Sequence, residues 1–264
     1  MQIIGHRGAH RDKSEQNTPL AFCQAVVLGF TMMELDARLT KDGQLIVHHD
    51  PEAFHNGRRI TIRDHLLEDL VTEGFCTEES VGFPRSKKSP TLESVLDVFL
   101  HQIDINVELK EKGAGRIFVD LLKNMSAKYD QFKSGEILKK LLVSSFEESE
   151  LIEVKKFYPE IETALLLSNF QFPISSLDRK KLDRLRRFGV NAVHLPRRKA
   201  TRDTVEYLKH QQGFIVRVYT VNYREIMFNC HNIGADGVFT DKIEMLSLIG
   251  SAKKSKEVSR PVFA

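Results

Sequence analysis

Short apolar or β-branched runs alternate along the chain with longer segments of helical periodicity. For example, "QIIGH" precedes "TPLAFCQAVVLG", and "DINVELK" precedes "GRIFVDLLKNM". The short runs have the length and residue types of buried strands, whereas the longer segments space their apolar residues as amphipathic helices do. The pattern predicts eight strands, at residues 2–6, 31–36, 103–108, 141–145, 161–166, 190–195, 214–220 and 236–240. Eight strand-helix units that close on themselves make a (β/α)8 TIM barrel, which is the α/β fold class that we predict.

One segment interrupts this alternation between the second and third predicted strands. Residues 51–90 contain turn residues, a basic cluster and only one short helix-like stretch, "IRDHLLEDLV". We therefore predict a small insertion after the second strand, which overhangs the mouth of the barrel. A single barrel domain is expected over residues 1–250. The charged, aperiodic tail over residues 251–264 is expected to be disordered.

Composition and charge narrow the classes of function. The chain has 264 residues, of which 41% are hydrophobic and 28% charged, so a large buried core is expected. Its 39 basic and 36 acidic residues are too evenly balanced to indicate a nucleic-acid partner. The three cysteines are widely spaced and form no CxxC pair, and no apolar run reaches the roughly 18 residues of a membrane helix. We expect a cytoplasmic protein without stable membrane insertion, and the sequence leaves its oligomeric state open.

Charged residues end the first three predicted strands, and in a barrel these carboxyl-terminal ends carry the reactive groups. His6 and Arg7 end the first strand. Glu34 and Asp36 end the second strand two positions apart, so both side chains are expected to face the barrel axis. Glu108 ends the third strand. Three carboxylates from two adjacent strands are therefore predicted to converge.

Three carboxylates in one small space raise one another's pKa, and burial adds to the penalty. A divalent cation would remove this repulsion. Ligation by oxygen atoms alone favours a hard ion such as Mg²⁺, Ca²⁺ or Mn²⁺ over zinc. The alternative interpretation is that Glu34 and Asp36 only form salt bridges at the rim of the barrel. Lys110 follows Glu108 by two positions and is expected to face the same way.

Histidines are expected at the same rim. The stretch "TKDGQLIVHHD" at residues 40–50 joins a tight turn to an apolar run that ends in His48, His49 and Asp50. Together with His6, a second histidine beside a metal would supply an acid and a base whose unperturbed pKa lies near neutrality. We interpret the remaining histidines as hydrogen-bonded structural residues: His10, His55, His65, His101, His194, His210 and His231.

Several motifs, taken together, resemble those of a known family. They are "HRGA" at 6–9, "QNTPLAF" at 16–22, "MELDARLTKDGQLIVHHD" at 33–50, "PTLESVL" at 90–96, "NVELK" at 106–110, "VSSF" at 143–146, "YTVN" at 219–222 and "GADGVFTD" at 234–241. In this order they are similar to the glycerophosphodiester phosphodiesterase family over nearly the whole chain. The resemblance is most specific in the first 110 residues.

The resemblance implies metal-dependent hydrolysis of a small-molecule glycerophosphodiester, such as glycerophosphocholine or glycerophosphoethanolamine, to an alcohol and sn-glycerol 3-phosphate. It implies one divalent cation, with Mg²⁺ or Ca²⁺ favoured over Mn²⁺. The implied roles are acid/base catalysis for His6 and His49, metal ligation for Glu34, Asp36 and Glu108, and phosphate binding for Arg7 and Lys110. His49 is preferred to His48 because the family histidine directly precedes an aspartate, here Asp50.

The sequence departs from the family pattern at two positions. Gln16 stands where the family usually has a glutamate, so a hydrogen-bond acceptor for Arg7 is kept while a charge is lost. Tyr219 stands where many members have a tryptophan, which keeps an aromatic wall of a different size. We expect neither change to reach the acid/base pair or the metal ligands.

Two alternative functions and two chemical routes stay open at this stage. The chain could be a sphingomyelinase D-like phospholipase that acts on intact lipid, or a catalytically silent barrel that binds a phosphoryl ligand. For hydrolysis, a histidine would deprotonate either a water molecule or the glycerol 2-hydroxyl. The second route forms a cyclic phosphate that water then opens. In both routes the other histidine protonates the leaving alcohol.

Overall fold

A computed structural model describes residues 1–55, 58–73, 89–133, 135–168 and 179–248. Within these residues, eight parallel strands form a closed sheet in which β1 pairs with both β2 and β11. The strands of the protein are β1 (Gln2–Gly5), β2 (Met32–Leu39), β3 (Leu45–Val47), β4 (Glu52–His55), β5 (Arg58–Thr61), β6 (Asp104–Leu109), β7 (Leu141–Ser145), β8 (Glu162–Leu166), β9 (Ala192–Pro196), β10 (Ile215–Tyr219) and β11 (Gly237–Thr240). The barrel contains all of these except β3, β4 and β5. The predicted (β/α)8 barrel is therefore confirmed.

Helices follow the barrel strands and cover their outer face. They are α1 (Pro19–Val27), α2 (Leu67–Glu73), α3 (Leu92–Phe99), α4 (Ala114–Lys128), α5 (Gly135–Leu138), α6 (Glu148–Phe157), α7 (Arg179–Arg187), α8 (Arg202–Glu206) and α9 (Arg224–Asn232). The start of α1 shows why the sequence forms a helix there. The Thr18 hydroxyl accepts from the Ala21 N–H, and Pro19 occupies the first turn, where its missing N–H has no helical partner to lose.

The predicted insertion after the second strand is present, but it begins before residue 51. Strand β3 runs antiparallel to the end of β2, which extends β2 to Leu39. Strands β4 and β5 form a two-stranded antiparallel sheet, and α2 follows them. Ile46, Ala53, Ile62 and Leu70 form a small apolar cluster that is separate from the main core. Residues 56–57 and 74–88 of the insertion, and the predicted tail, lie outside the described residues.

Alternation along the barrel strands separates two apolar regions. Outward side chains such as Val107, Val143 and Val193 pack in the main core against the helices. Inward side chains fill the barrel: Ile4, Met32, Leu142, Ala164, Ala192 and Phe239 form one buried cluster. At the amino-terminal end of the barrel, Arg217 donates to the carboxylate of Glu162. The barrel interior is therefore filled below the carboxyl-terminal ends of its strands.

The helices that cover the barrel are short and amphipathic; α4, for example, has 15 residues. Among the described residues, no helix has the length and apolar character that a membrane-spanning segment needs.

Candidate active site

The turn after β1 presents His6 and Arg7 at the mouth of the barrel. Arg7 adopts a left-handed backbone conformation, with φ of 56°, and its N–H donates to Oε2 of Glu34 at 2.8 Å. Gly8 follows with φ of 86°, and a Cβ atom there would lie 2.7 Å from Cβ of Ala21. Because such a contact is too short for two carbon atoms, only glycine permits this turn.

Three carboxylates meet beside this turn. Glu34 and Asp36 lie on β2 and are 2% and 1% exposed, and Glu108 lies on the neighbouring strand β6 as the Cα partner of Asp36. One oxygen atom from each residue lies within 4.8 Å of the other two. The structure therefore brings together all three metal ligands that the sequence predicts.

Two cations lie among the carboxylates. Nζ of Lys110 is 2.6 Å from Oε1 of Glu108 and 3.1 Å from Oδ1 of Asp36. Nε of Arg7 is 3.2 Å from Oδ2 of Asp36. Both predicted phosphate-binding residues thus line the same pocket as Glu34 and Glu108. Two cations leave one of the three negative charges uncompensated.

The uncompensated charge affects the pKa values of the carboxylates in the cluster. Burial, and then repulsion from Asp36 and Glu108, raises the pKa of Glu34 well above its ordinary value. Burial also raises the pKa of Glu108. Although burial alone would raise it, the pKa of Asp36 is held low by Lys110 and Arg7. Oε1 of Glu34 is buried and has no hydrogen-bond partner within the described ranges. An oxygen-only cluster with excess negative charge and an unpartnered carboxylate oxygen fits a divalent cation.

Asn17 supports the cluster from the loop after β1, although it was not among the predicted site residues. Its Nδ2 donates to Oδ2 of Asp36 at 2.8 Å, and its Oδ1 accepts from the Asp36 N–H at 3.2 Å. Asn17 has φ of 56°, a conformation that asparagine tolerates better than most residues. The feature of the sequence that could have indicated Asn17 is its position in the "QNT" stretch, between Gln16 and the helix cap Thr18.

His6 is held by a carboxylate that was not predicted from the sequence either. Nδ1 of His6 lies 2.6 Å from Oδ1 of Asp241, which follows β11. Asn222 donates to the other Asp241 oxygen at 2.6 Å and accepts from the Asp241 N–H at 2.9 Å. Although burial would raise it, contacts with His10, His6 and Asn222 hold the pKa of Asp241 low. His10 has its Nε2 3.6 Å from Oδ1 of Asp241, so it contacts the same carboxylate as His6.

His49 and His48 follow β3 and have different surroundings. Nδ1 of His49 lies 2.7 Å from Oδ1 of Asp50, and its side chain is 35% exposed. Burial, with Arg7 and Lys110 nearby, lowers the pKa of His49. His48 is buried, with Nδ1 2.9 Å from Oγ of Ser89 and Nε2 3.1 Å from the Glu52 carbonyl oxygen. The doubled histidine therefore sends one ring to the pocket and one into the insertion.

Gln16 and Tyr219, the two departures from the family pattern, both lie at this site. Oε1 of Gln16 accepts from Nη1 of Arg7 at 2.8 Å, so the amide keeps the acceptor that the sequence led us to expect. Tyr219 lines the pocket, and its hydroxyl donates to the Leu167 carbonyl oxygen. Burial raises the pKa of Tyr219, which keeps its hydroxyl protonated as a donor.

These groups surround one pocket of about 170 Å³ at the carboxyl-terminal ends of the strands. His6, Arg7, His49 and Lys110 line it together with Glu34 and Glu108. Phe146 forms part of its rim and is 41% exposed. The lining also includes Asn106, Ser144, Leu166, His194, Tyr219, Thr220 and Phe239. Sites that transfer or hydrolyse phosphoryl groups use this combination of side chains: histidines, cationic residues and a carboxylate cluster around one opening.

Several named proteins are similar to this chain in sequence or in fold. A glycerophosphodiester phosphodiesterase of Bacillus subtilis is 27% identical over 250 residues, which cover 90% of this chain and 82% of the relative. One of Caldanaerobacter subterraneus is 28% identical over 249 residues, covering 92% and 95%. A solved phosphodiesterase of Oleispira antarctica, in complex with the product sn-glycerol-3-phosphate, has the same fold with a TM-score of 0.74 and 23% identity, covering 95% and 97%.

The family comparison spans the barrel and its site. The model of the glycerophosphoryl diester phosphodiesterase family matches residues 6–245, from His6 in the turn after β1 to Met245, which follows β11. This range includes every residue that forms the acidic cluster, together with His6 and His49. The chain therefore belongs to the glycerophosphoryl diester phosphodiesterase family.

Proposed function

We propose that the protein hydrolyses glycerophosphodiesters of small alcohols, such as glycerophosphocholine or glycerophosphoethanolamine, to the free alcohol and sn-glycerol 3-phosphate. One observation carries this proposal. His6 and His49 line the same pocket as Arg7, Lys110 and the two glutamates of the acidic cluster, Glu34 and Glu108, which Asp36 completes. Family membership supports the same reaction.

The cluster would hold one divalent cation through the carboxylates of Glu34, Asp36 and Glu108. The unpartnered Oε1 of Glu34 and the uncompensated charge support this assignment. When bound, the cation supplies Lewis-acid polarisation of the phosphoryl oxygens. We propose Mg²⁺ or Ca²⁺, because ligation by oxygen atoms alone suits hard ions.

Arg7 and Lys110 bind the phosphate. Each is anchored on the acidic cluster, so the cations are oriented before the substrate arrives and their side chains lose little freedom when it binds. Gln16 accepts from one Arg7 nitrogen without neutralising the guanidinium charge. Arg7 therefore keeps its full charge for the carboxylates of the site and for the bound phosphate.

His6 and His49 move the protons. One ring removes a proton from the attacking oxygen, and the other donates a proton to the oxygen of the leaving alcohol. Asp241 and Asp50 each contact Nδ1 of one ring, which favours a tautomer with the proton on Nδ1 and leaves Nε2 for the reaction. The attacking oxygen is either water or the glycerol 2-hydroxyl, and the same two rings serve both routes.

The test is release of sn-glycerol 3-phosphate from glycerophosphocholine and from glycerophosphoethanolamine. The protein is stripped with a chelator and then supplied with Mg²⁺, Ca²⁺ or Mn²⁺ in parallel. We expect no release after stripping and recovery with at least one of the three ions. Undiminished release from the stripped protein would contradict the metal assignment. Absence of release with every ion would contradict the proposed activity and favour a silent phosphoryl-binding barrel.

A further inference from the structure

Three polar side chains lie deep in the pocket and have unused hydrogen-bonding atoms. Asn106, Ser144 and His194 lie on β6, β7 and β9, line the pocket and are at most 1% exposed. Within the part of the chain that the structure describes, Oδ1 of Asn106, Oγ of Ser144 and both ring nitrogens of His194 have no hydrogen-bond partner. We call these three residues the pocket floor.

An unpartnered polar atom in a protein interior is unusual, because burial removes its bonds to water without replacing them. Four such atoms on three residues that line one pocket indicate that something else supplies their partners. His194 does not fit our interpretation of the remaining histidines as hydrogen-bonded structural residues. Its ring packs against Phe239, with a centroid distance of 4.8 Å, but its nitrogens bond to nothing in the described residues.

The pocket floor adjoins the acidic cluster. Asn106 is the Cα partner of Glu34 and precedes Glu108 by two positions on the same face of β6. Ser144 is the Cα partner of Glu108. A phosphate bound at Arg7 and Lys110 would therefore share the pocket with the pocket floor, which an inward-pointing part of the ligand could contact.

The chemistry of the pocket floor is that of neutral groups. It offers an amide oxygen, a hydroxyl and an imidazole, and burial lowers the pKa of His194 well below its ordinary value. Leu166 and Phe239 complete the surface around them. Such a surface does not compensate a second phosphate or an ammonium group, whereas a hydroxyl group can both donate to it and accept from it.

We infer that the pocket floor is a hydroxyl-binding subsite, formed by Asn106, Ser144 and His194, that takes the glycerol half of the ligand. The inference rests on the proposed function for the identity of that half. The glycerol half is common to all the proposed substrates, so it suits the closed end of the pocket. The alcohol half varies and therefore extends toward the rim at Phe146.

The test compares two phosphate monoesters that differ only in the hydroxyl-bearing part of the ester. Sn-glycerol 3-phosphate and methyl phosphate are titrated calorimetrically into the Mg²⁺-loaded protein, without turnover. Ser144→Ala removes one hydroxyl, and His194→Phe replaces the ring by an apolar one of similar shape. Ser145→Ala is the matched control, because Ser145 is the next residue on β7 and donates to the Leu109 carbonyl oxygen, away from the pocket.

We expect the unmodified protein to bind sn-glycerol 3-phosphate more tightly than methyl phosphate. Ser144→Ala and His194→Phe should each weaken binding of sn-glycerol 3-phosphate about fivefold to tenfold and leave methyl phosphate unchanged. Ser145→Ala should change neither affinity. Equal affinities in the unmodified protein, or an equal loss for both monoesters in the variants, would overturn the inference. Because no turnover is measured, a protein that shows the expected pattern but hydrolyses no diester contradicts only the proposed function.

Discussion

Oδ1 of Asp241 lies 2.6 Å from Nδ1 of His6, although 235 positions separate the two residues in the chain. Asn222 holds the second carboxylate oxygen, so the carboxylate cannot rotate away from the ring. The opposite ring nitrogen, Nε2, is 4.0 Å from Oε2 of Glu34 and faces the acidic cluster. The pairing therefore orients the imidazole across the pocket.

Asp241→Asn should lower kcat far more than it raises KM. The amide can still occupy the space, but it cannot stabilise a protonated His6 ring or enforce the same tautomer. General acid/base catalysis typically contributes about 100-fold to 10,000-fold, and we expect a loss within that range. Steady-state kinetics with glycerophosphocholine would measure it. Asp203→Asn on the exposed surface of α8 is the control, and a kcat equal to that of the control would remove Asp241 from the positioning of His6.

His6→Ala and His49→Ala should each abolish measurable turnover while the thermal unfolding temperature stays close to that of the unmodified protein. Both side chains lie at the mouth of the barrel and add little to its core. The comparison variant is His101→Ala, at an exposed histidine in the turn before β6. Full residual activity in either pocket variant would contradict the acid/base assignment.

Glu34→Gln should have opposite effects on metal binding and on the stability of the metal-free protein. Loss of one anionic ligand should weaken divalent-cation binding at least about tenfold by calorimetry. The folded-state pKa of Glu34 lies above its unfolded value, so its ionised form destabilises the metal-free fold as pH rises through that interval. The glutamine variant carries no such charge, and at neutral pH its metal-free form should have the higher free energy of unfolding. Unchanged metal affinity would remove Glu34 as a ligand.

Gln16→Leu should raise KM about tenfold with a smaller change in kcat, because Arg7 loses the acceptor that orients its guanidinium group. Gln16→Glu keeps an acceptor at the same place and serves as the conservative variant. The inhibition constant for inorganic phosphate provides a second measurement of phosphate binding at Arg7. If the leucine variant matches the unmodified protein in both measurements, the Gln16 contact does not support phosphate binding.

His48→Gln should flatten the dependence of stability on pH between about 4 and about 6.5. Burial lowers the pKa of His48 to about 4. Between this value and the ordinary pKa of about 6.5, the histidine is protonated in the unfolded chain but neutral in the folded protein. Its contribution to stability is therefore complete above about pH 6.5 and falls as the pH drops toward 4, by up to about 3 kcal/mol. Glutamine can keep the bonds to Ser89 and Glu52 without titrating.

Chemical denaturation at several pH values would measure this slope. His231→Gln, at an exposed position of α9, is the control. A slope in His48→Gln equal to that of the unmodified protein would contradict the assignment. Some slope should persist, because burial lowers the pKa of His194 in the same direction.

The parts of the site that the sequence predicts are those that depend on local periodicity. Glu34 and Asp36 share a face because strand side chains alternate, and parallel strands end at one edge, which brings Glu108 beside them. The strand positions followed from the alternation of short apolar runs with longer segments of helical periodicity. Strand β2 was the main exception, since its pairing with β3 extends it beyond the expected end.

The parts that the sequence does not predict depend on closure of the barrel and on side-chain direction. Asp241 reaches His6 only because β11 pairs with β1, and no local pattern shows that an aspartate after the last strand will meet a histidine after the first. Asn17 turns back to Asp36 through a left-handed backbone conformation that its residue type permits but does not require. His194 was indistinguishable in sequence from a hydrogen-bonded histidine.

The apolar cluster inside the barrel, with Arg217 and Glu162 beneath it, closes the inner end of the pocket. Substrate therefore enters, and both products leave, through the same opening at the mouth of the barrel. If the glycerol half is seated innermost, the freed alcohol has to depart before sn-glycerol 3-phosphate can follow. This ordered exit would make the phosphorylated product the one that competes directly with incoming substrate.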